Sequence, residues 1–405
     1  MTSSAFDHDR LTRIDDWMQS YIDHGRYPGA TVLVTEGGSV VHRATSGYRD
    51  VEAQTPFTED TITRIYSMTK PIASVVLMTF VEQGLFHLDT PVSEFIPEFA
   101  DARALIPGAA SVDQTEPCPV PTLVQLLTHT SGLTYGFNPG LLPELYVAEK
   151  IAFSGTGEGL ASATKRIAAL PLAFQPGAKW EYSHATDVIG RVIEVVAGKP
   201  LDQVFKEEVF APLGMKDTFF QIPEDRLDRL ASLYTAQDGN SFGLGLKGQD
   251  QMFLIDAPQT SAWRDVKTYS GGGGLLSTID DYFQFTEMLR KGGAHNGARI
   301  LSPATMRFMM RNFLPGDIAS MGTKSFAEMP MDGIGFGLAG SVVIDPARCG
   351  MPGNVGDFSW GGIASTFFWI DPVADISCIF LTQLTPSSSY PSRPQLKALV
   401  HGAMS

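Results

Sequence analysis

The chain has 405 residues, 30 Lys plus Arg against 44 Asp plus Glu, a formal net charge of −14, and 43% apolar residues with 40 Gly and 26 Pro. That composition excludes a disordered, collagenous or coiled-coil chain and leaves a globular protein of roughly two to three domains by length. The acidic balance argues against a nucleic acid or an anionic membrane surface as the main partner, since both would repel it.

In chain order, Leu11, Ile14, Trp17, Met18 and Tyr21 fall at helical spacing and predict an amphipathic first helix. The residues before it hold no apolar signal-peptide core, and the chain has no apolar stretch of about eighteen residues, so a cytoplasmic protein without a membrane span is expected. Ala30 to Thr35 is β-branched and apolar, Gly37-Gly38 supplies a turn, and Val40 onward returns, which predicts a hairpin. Pro71 and the apolar run Ile72 to Val81, closed by Gly84, predict a helix that is apolar all round and therefore buried. The middle of the chain reads as mostly helical, interrupted by Pro/Gly loops near 106–121, 136–143 and 171–180, with a further helix at Val188 to Ala197. Gly271 to Gly274 predicts a tight loop before a helix capped by Ser277 or Thr278, with Asp280 or Asp281 three residues on. Strand-like runs follow at Ser341 to Ile344, Ser365 to Ile370 and Ile376 to Thr382, then a helical tail from Gln395. Strands at both ends with helices between predict an α/β (α+β) fold: one antiparallel sheet built from both termini, flanked by helices, with a mostly helical region inserted.

Chemistry concentrates at the mouth of the buried helix. Ser67 and Lys70 stand one turn apart on its N-terminal face. A serine hydroxyl needs a neighbour to take its proton, and a desolvated lysine can do this or stabilise the anion of another base. A helix N-terminus adds positive potential and free N–H groups suited to an oxyanion. Ser-x-x-Lys spacing alone is weak and recurs at Ser162 and Lys165, but there it lies on a helix flank and reads as an exposed polar face.

Three other patterns are weighed and set aside. Gly239-Asn240-Ser241-Phe242-Gly243 has the spacing of a nucleophile elbow but lacks the flanking strand and helix. Gly335, Gly337 and Gly340 precede a strand, whereas a dinucleotide pyrophosphate requires a helix there. The eight histidines show no metal-ligand spacing, and Cys118, Cys349 and Cys378 form neither a C-x-x-C pair nor a disulfide framework, so neither metal nor cofactor is expected. His129 reads as structural, at a helix-to-loop boundary.

Ser67-Met68-Thr69-Lys70, then Trp180-Glu181-Tyr182-Ser183, then Trp360-Gly361-Gly362 before a strand ending Trp369-Ile370-Asp371-Pro372 form an ordered set. Further landmarks are Leu88-Asp89-Thr90-Pro91-Val92, Leu126 to Leu133, and Gly271 to Gly274 with Ser277-Thr278. Running from about residue 10 to 400, the set resembles the serine β-lactamase-like superfamily, and within it the family VIII carboxylesterases, which are similar to class C β-lactamases.

The resemblance implies that Ser67 is the nucleophile of an acyl-enzyme, Lys70 its base or base-assistant, and Tyr182 the tyrosine that relays the proton and later activates water. It implies an oxyanion hole from the backbone N–H groups of Ser67 and Ile363, and a substrate pocket lined by Trp360. Gly361 and Gly362 let the backbone come close to the substrate carbonyl, and His184, next to Tyr182, reads either as a substrate contact or as a plain surface residue. A free phenol ionises near pH ~10 and a neighbouring ammonium favours its anion, which suits the relay; whether Lys70 or Tyr182 takes the first proton stays open at this level.

Where class C enzymes carry Lys-Thr-Gly this chain has Trp360-Gly361-Gly362, and where they carry Tyr-x-Asn it has Tyr182-Ser183-His184. Both departures favour a neutral small-molecule ester over an anionic β-lactam, leaving weak β-lactam hydrolysis at most. The expectation is a serine carboxylesterase for short-acyl esters. An acyltransferase, a D-amino-acid peptidase or β-lactamase of the same fold, and a non-catalytic penicillin-recognising protein are the alternatives. The expected division is a discontinuous sheet domain, 1–66 with 330–405, and a mostly helical region, 67–329, carrying the Ser67 helix, with the active site in the cleft between.

Overall fold

The computed structural model describes residues 6–153, 157–237, 250–327, 329–338 and 340–405. The elements that position the site are helices α1 (His8–Asp23), α2 (Thr69–Glu82), α3 (Leu160–Ala168), α4 (Ala185–Ala197), α5 (Ile279–Arg290) and α6 (Ser392–Gly402). The main strands are β1 (Gly29–Glu36), β2 (Ser39–Asp50), β3 (Thr55–Pro56), β4 (Ile334–Phe336), β5 (Ser341–Val343), β6 (Phe358–Gly361), β7 (Phe367–Asp371) and β8 (Ile376–Thr382).

The eight strands form one sheet in the order β4-β5-β6-β7-β8-β1-β2-β3, with every neighbouring pair antiparallel. Its centre joins the two ends of the sequence: β1 pairs with β8 from Ala30↔Thr382 through Val34↔Cys378 to Glu36↔Ile376. Both strands are buried throughout apart from the half-buried Glu36, as expected of runs rich in valine, isoleucine and phenylalanine. Successive side chains alternate between two cores. Val32, Val34, Cys378 and Phe380 pack with α1 and α6, while Leu33, Ile379 and Leu381 join the larger cluster that contains α2 and α4.

Asp7 caps α1 by accepting from the backbone N–H groups of Asp9 and Arg10. Of the two candidates for capping α5, it is Thr278 that accepts from the Asp281 N–H. α2 is buried from Thr69 to Phe80, in keeping with its apolar circumference. Ser162 and Lys165 lie on α3, where the serine donates to Glu158 and the lysine is exposed. The Gly335/Gly337/Gly340 run spans the β4–β5 hairpin and leads into strand β5, not into a helix. Gly239 to Gly243 lies outside the described residues. No helix among the described residues is long and apolar enough to cross a membrane.

Candidate active site

Ser67 occupies a one-turn 3₁₀ helix, Tyr66–Met68, that leads directly into α2. Tyr66 holds φ at +45°, a backbone region costly for a side chain of this size. Its half-buried ring stands edge-on to Trp263, 5.6 Å between centroids, which braces the turn that presents Ser67.

Around Ser67 Oγ the arrangement is tight. The Tyr182 hydroxyl donates to it at 2.6 Å and Lys70 Nζ at 3.3 Å. Lys70 is fully buried, and its Nζ donates also to the Tyr135 hydroxyl at 3.0 Å and the Gly272 carbonyl at 2.6 Å. Three acceptors match the three hydrogens of an ammonium. The same nitrogen lies 4.6 Å from the centroid of the Tyr182 ring, within cation–π range.

Tyr135 is held in its neutral form, its ionisation pushed well up by burial and then by the neighbouring Tyr182. His129 is likewise held neutral, well below the usual imidazole range, by burial and then by the Lys70 ammonium. It bonds Ser183 Oγ at 3.0 Å and stands edge-on to the Tyr182 ring at 4.8 Å, so its place is behind the tyrosine, in keeping with a structural role.

The Gly272 carbonyl is itself anchored. Asp187, buried in the first turn of α4, accepts from the Gly272 N–H at 3.0 Å and from Ser270 Oγ at 2.5 Å. Its second oxygen meets His184 Nδ1 at 3.0 Å. The glycines here are required by space: a Cβ at Gly272 would sit 2.7 Å from Asp187 Oδ2, and one at Gly271 2.8 Å from the Thr186 carbonyl. The tight loop read from the sequence thus serves to bring a backbone carbonyl onto Lys70.

On the opposite side, Trp360 on β6 stands 5.5 Å from the Tyr182 ring and stacks on Phe326 at 5.8 Å. A Cβ at Gly362 would lie 2.4 Å from the Ile65 carbonyl, so only glycine lets the end of β6 pass this close to the serine turn.

Ser67 separates two cavities. One of about 100 Å³ is lined by Ser67, Tyr135, Tyr182, Trp360, Gly361, Gly362 and Ile363 among others. A second of about 540 Å³ reaches Ser67 from the other side, past Tyr135, His184 and Trp263. Of the sequence-derived candidates, six line the smaller cavity, Lys70 lies buried beneath Ser67, and His184 faces only the larger one.

Sequence reasoning missed Tyr135, Asp187 and Asn138, whose Nδ2 donates to the Tyr182 carbonyl at 2.9 Å. The signal for Asp187 was present, a lone carboxylate at the start of an apolar helix three residues after His184. Tyr135 and Asn138 sit in a Gly/Pro loop where no periodicity marks them.

A family model described as Beta-lactamase matches residues 14–402. Protein Rv1367c of Mycobacterium tuberculosis (strain ATCC 25618 / H37Rv) is 35% identical over 373 residues, 91% of this chain and 88% of that one. Esterase EstB of Burkholderia gladioli is 32% identical over 381 residues, covering 91% and 89%. Among solved structures, EstCE1, described as a hydrolase with promiscuous acyltransferase activity, superposes with a TM-score of 0.81 at 30% identity, covering 98% of this chain and 99% of that one.

Proposed function

The chain belongs to the beta-lactamase family, and from that premise we propose that it is a serine carboxylesterase cleaving short-acyl esters through an acyl-enzyme on Ser67. The observation that carries this reading is the placement of Ser67 Oγ within 2.6 Å of the Tyr182 hydroxyl and 3.3 Å of Lys70 Nζ, at the wall of a cavity that five aromatic rings help to line.

Lys70 spends its three N–H bonds on Ser67, Tyr135 and Gly272, which suits an ammonium that stays charged. In the reactive form the phenol proton of Tyr182 has gone to solvent, leaving a phenolate beside the Lys70 ammonium, and the proton of Ser67 passes along the short contact to it. Oγ attacks the ester carbonyl, and the oxyanion is met by the backbone N–H groups of Ser67 and Ile363. Collapse breaks the ester bond and the departing alkoxide takes the proton back from Tyr182. Water, deprotonated by the same tyrosine, then releases the acid and frees Ser67. Trp360, Gly361 and Gly362 bound the smaller cavity and His184 the larger, together gripping the two halves of the substrate. Trp360 stands where a class C enzyme has a lysine, and the cation that lines the smaller cavity is Arg393, from the first turn of α6. Residues 1–66 with 330–405 and residues 67–329 form the two sides of the cleft.

Support comes from the relatives as well: EstB is named an esterase and EstCE1 a hydrolase. The test is intact-mass spectrometry with p-nitrophenyl butyrate beside p-nitrophenolate release. A transient butyryl adduct mapping to Ser67 is expected, and Ser67→Ala should lose both the adduct and about 10⁴-fold or more of the turnover. Wild-type turnover in Ser67→Ala would sink the reading.

Acyl transfer to an alcohol is a second reading, favoured by the larger cavity, which leaves room beside Ser67 for an acceptor while the smaller one holds the acyl group. An added primary alcohol that diverts butyrate into a new ester, read as product ratio, separates transfer from hydrolysis.

A further inference from the structure

A third cavity, of about 640 Å³, opens beside the catalytic pair and does not include Ser67. Its walls are mostly apolar, with Phe210, Met215, Phe219 and Tyr269, and the exposed Lys206 and Lys216 stand at its rim. The turn Lys206–Phe210 at its edge is a π-helix, an irregularity that widens a helix and recurs at functional sites.

Phe220 belongs to both this cavity and the 540 Å³ catalytic cavity. Its side chain is 2% exposed and is wedged between Tyr269 and Phe205, with ring centroids at 5.3 and 5.4 Å. From the catalytic side the backbone at Gly274 presses on it, since a Cβ there would lie 2.9 Å from Phe220 Cδ1. Thr268 and Ser270, the neighbours of Tyr269, line the catalytic side while Tyr269 lines the outer one. One aromatic layer, Phe220 with Tyr269, therefore divides the two spaces.

We propose that the outer cavity is a distal subsite for the apolar arm of a longer ester, and that Phe220 is the side chain that sets how far an ester arm can extend from Ser67. This rests on Ser67 being the esterase nucleophile. The arm is an alkyl chain or fused ring carried on either the acyl or the alcohol side. Water has no strong hold on walls of this kind, so an apolar arm entering them is favoured in proportion to the area it buries. Lys206 and Lys216, with Asp202 in the same lining, suit an arm that ends in a polar group.

The experiment compares wild type, Phe220→Ala and Phe220→Leu on p-nitrophenyl butyrate, p-nitrophenyl dodecanoate and dodecyl butyrate. Phe220→Ala is expected to raise kcat/KM for one of the two long esters at least 10-fold relative to p-nitrophenyl butyrate, and which one responds identifies the acyl or the alcohol side. Phe220→Leu, a gentler change, should give a smaller gain in the same direction. Adding Ala211→Trp, which fills the outer cavity from its exposed edge, should cancel the gain.

Independently of turnover, 1-anilinonaphthalene-8-sulfonate should bind the wild type and lose at least 10-fold in affinity with Ala211→Trp. An unchanged long-to-short ratio in both Phe220 variants, with butyrate still cleaved, overturns the proposal, as does a gain that survives the Trp plug. Failure of every variant and the wild type to cleave p-nitrophenyl butyrate overturns the esterase reading, and the fluorophore result alone then decides whether the cavity binds apolar ligands.

Discussion

Lys70 shows what a fully buried cation requires. Removed from water, an ammonium is tolerated only when its hydrogens are all bonded, and Ser67, Tyr135 and Gly272 supply the three acceptors. Tyr135→Phe removes one of them and leaves a buried N–H unmet. Hydrogen bonds to charged groups are worth about 1.5–3 kcal/mol, so kcat/KM for p-nitrophenyl butyrate should fall roughly 10- to 100-fold. Unchanged kinetics would show that the Tyr135 ring merely fills space. Ser67, Lys70 and Tyr182 were legible in the sequence because helical spacing and ordered motifs mark them. Tyr135 was not, because only the closing of its loop onto α2 brings its hydroxyl to Lys70, 65 positions away in the chain.

Among the elements, α6 bridges two environments. Arg393 in its first turn lines the smaller cavity at Ser67, while Lys397 and His401, further along, meet Asp357 and Asp371 beside β6 and β7. Burial pushes the Asp357 carboxyl up to about 6 despite the Lys397 ammonium, and burial, then Lys397, holds His401 down to about 4. The signs oppose one another. Between about pH 4 and 6 folded Asp357 keeps a proton that the unfolded chain has lost, so on its own it makes stability fall as pH rises. Folded His401 lacks a proton that the unfolded chain holds between about 4 and 6.5, so on its own it makes stability rise. His401→Gln removes the second effect. Its stability relative to wild type should therefore worsen by on the order of 2 kcal/mol from pH 4.5 to 6.5, read by urea denaturation at each pH. A constant difference would mean that His401 binds its proton equally in the folded and unfolded protein. The boundaries of the elements were legible only to within a few residues, for local reasons. The strand expected from Ser365 begins at Phe367, because Ser365 turns at φ +63°, and the tail expected from Gln395 starts at Ser392, because Pro394 fits a first helical turn.

For the whole molecule, the antiparallel sheet from both termini was legible in hydrophobic pattern, whereas the cavities were not, since each is walled by segments far apart in sequence. The central β1–β8 pair joins residues such as Val32 and Phe380, so its closure waits on almost the entire chain. A fragment ending at residue 330 lacks β4 to β8 and leaves β1 without its inner neighbour. It should show neither a cooperative urea transition nor a near-ultraviolet dichroism signal, and a cooperative transition in it would show that the helical region folds alone. The sheet also acts as a partition. Along β7, Phe367 and Trp369 point to the α1/α6 side, while Phe368 and Ile370 point to the side that carries Ser67 and Tyr182. Sites on opposite sides share few partners, so their mutational effects should add rather than interact. Apart from Arg393, whose side chain reaches the cavity at Ser67, the α1/α6 layer is thus an insulated reserve: thermostabilising changes made there can offset the destabilisation that remodelling the cleft brings, while leaving the geometry of the cleft alone.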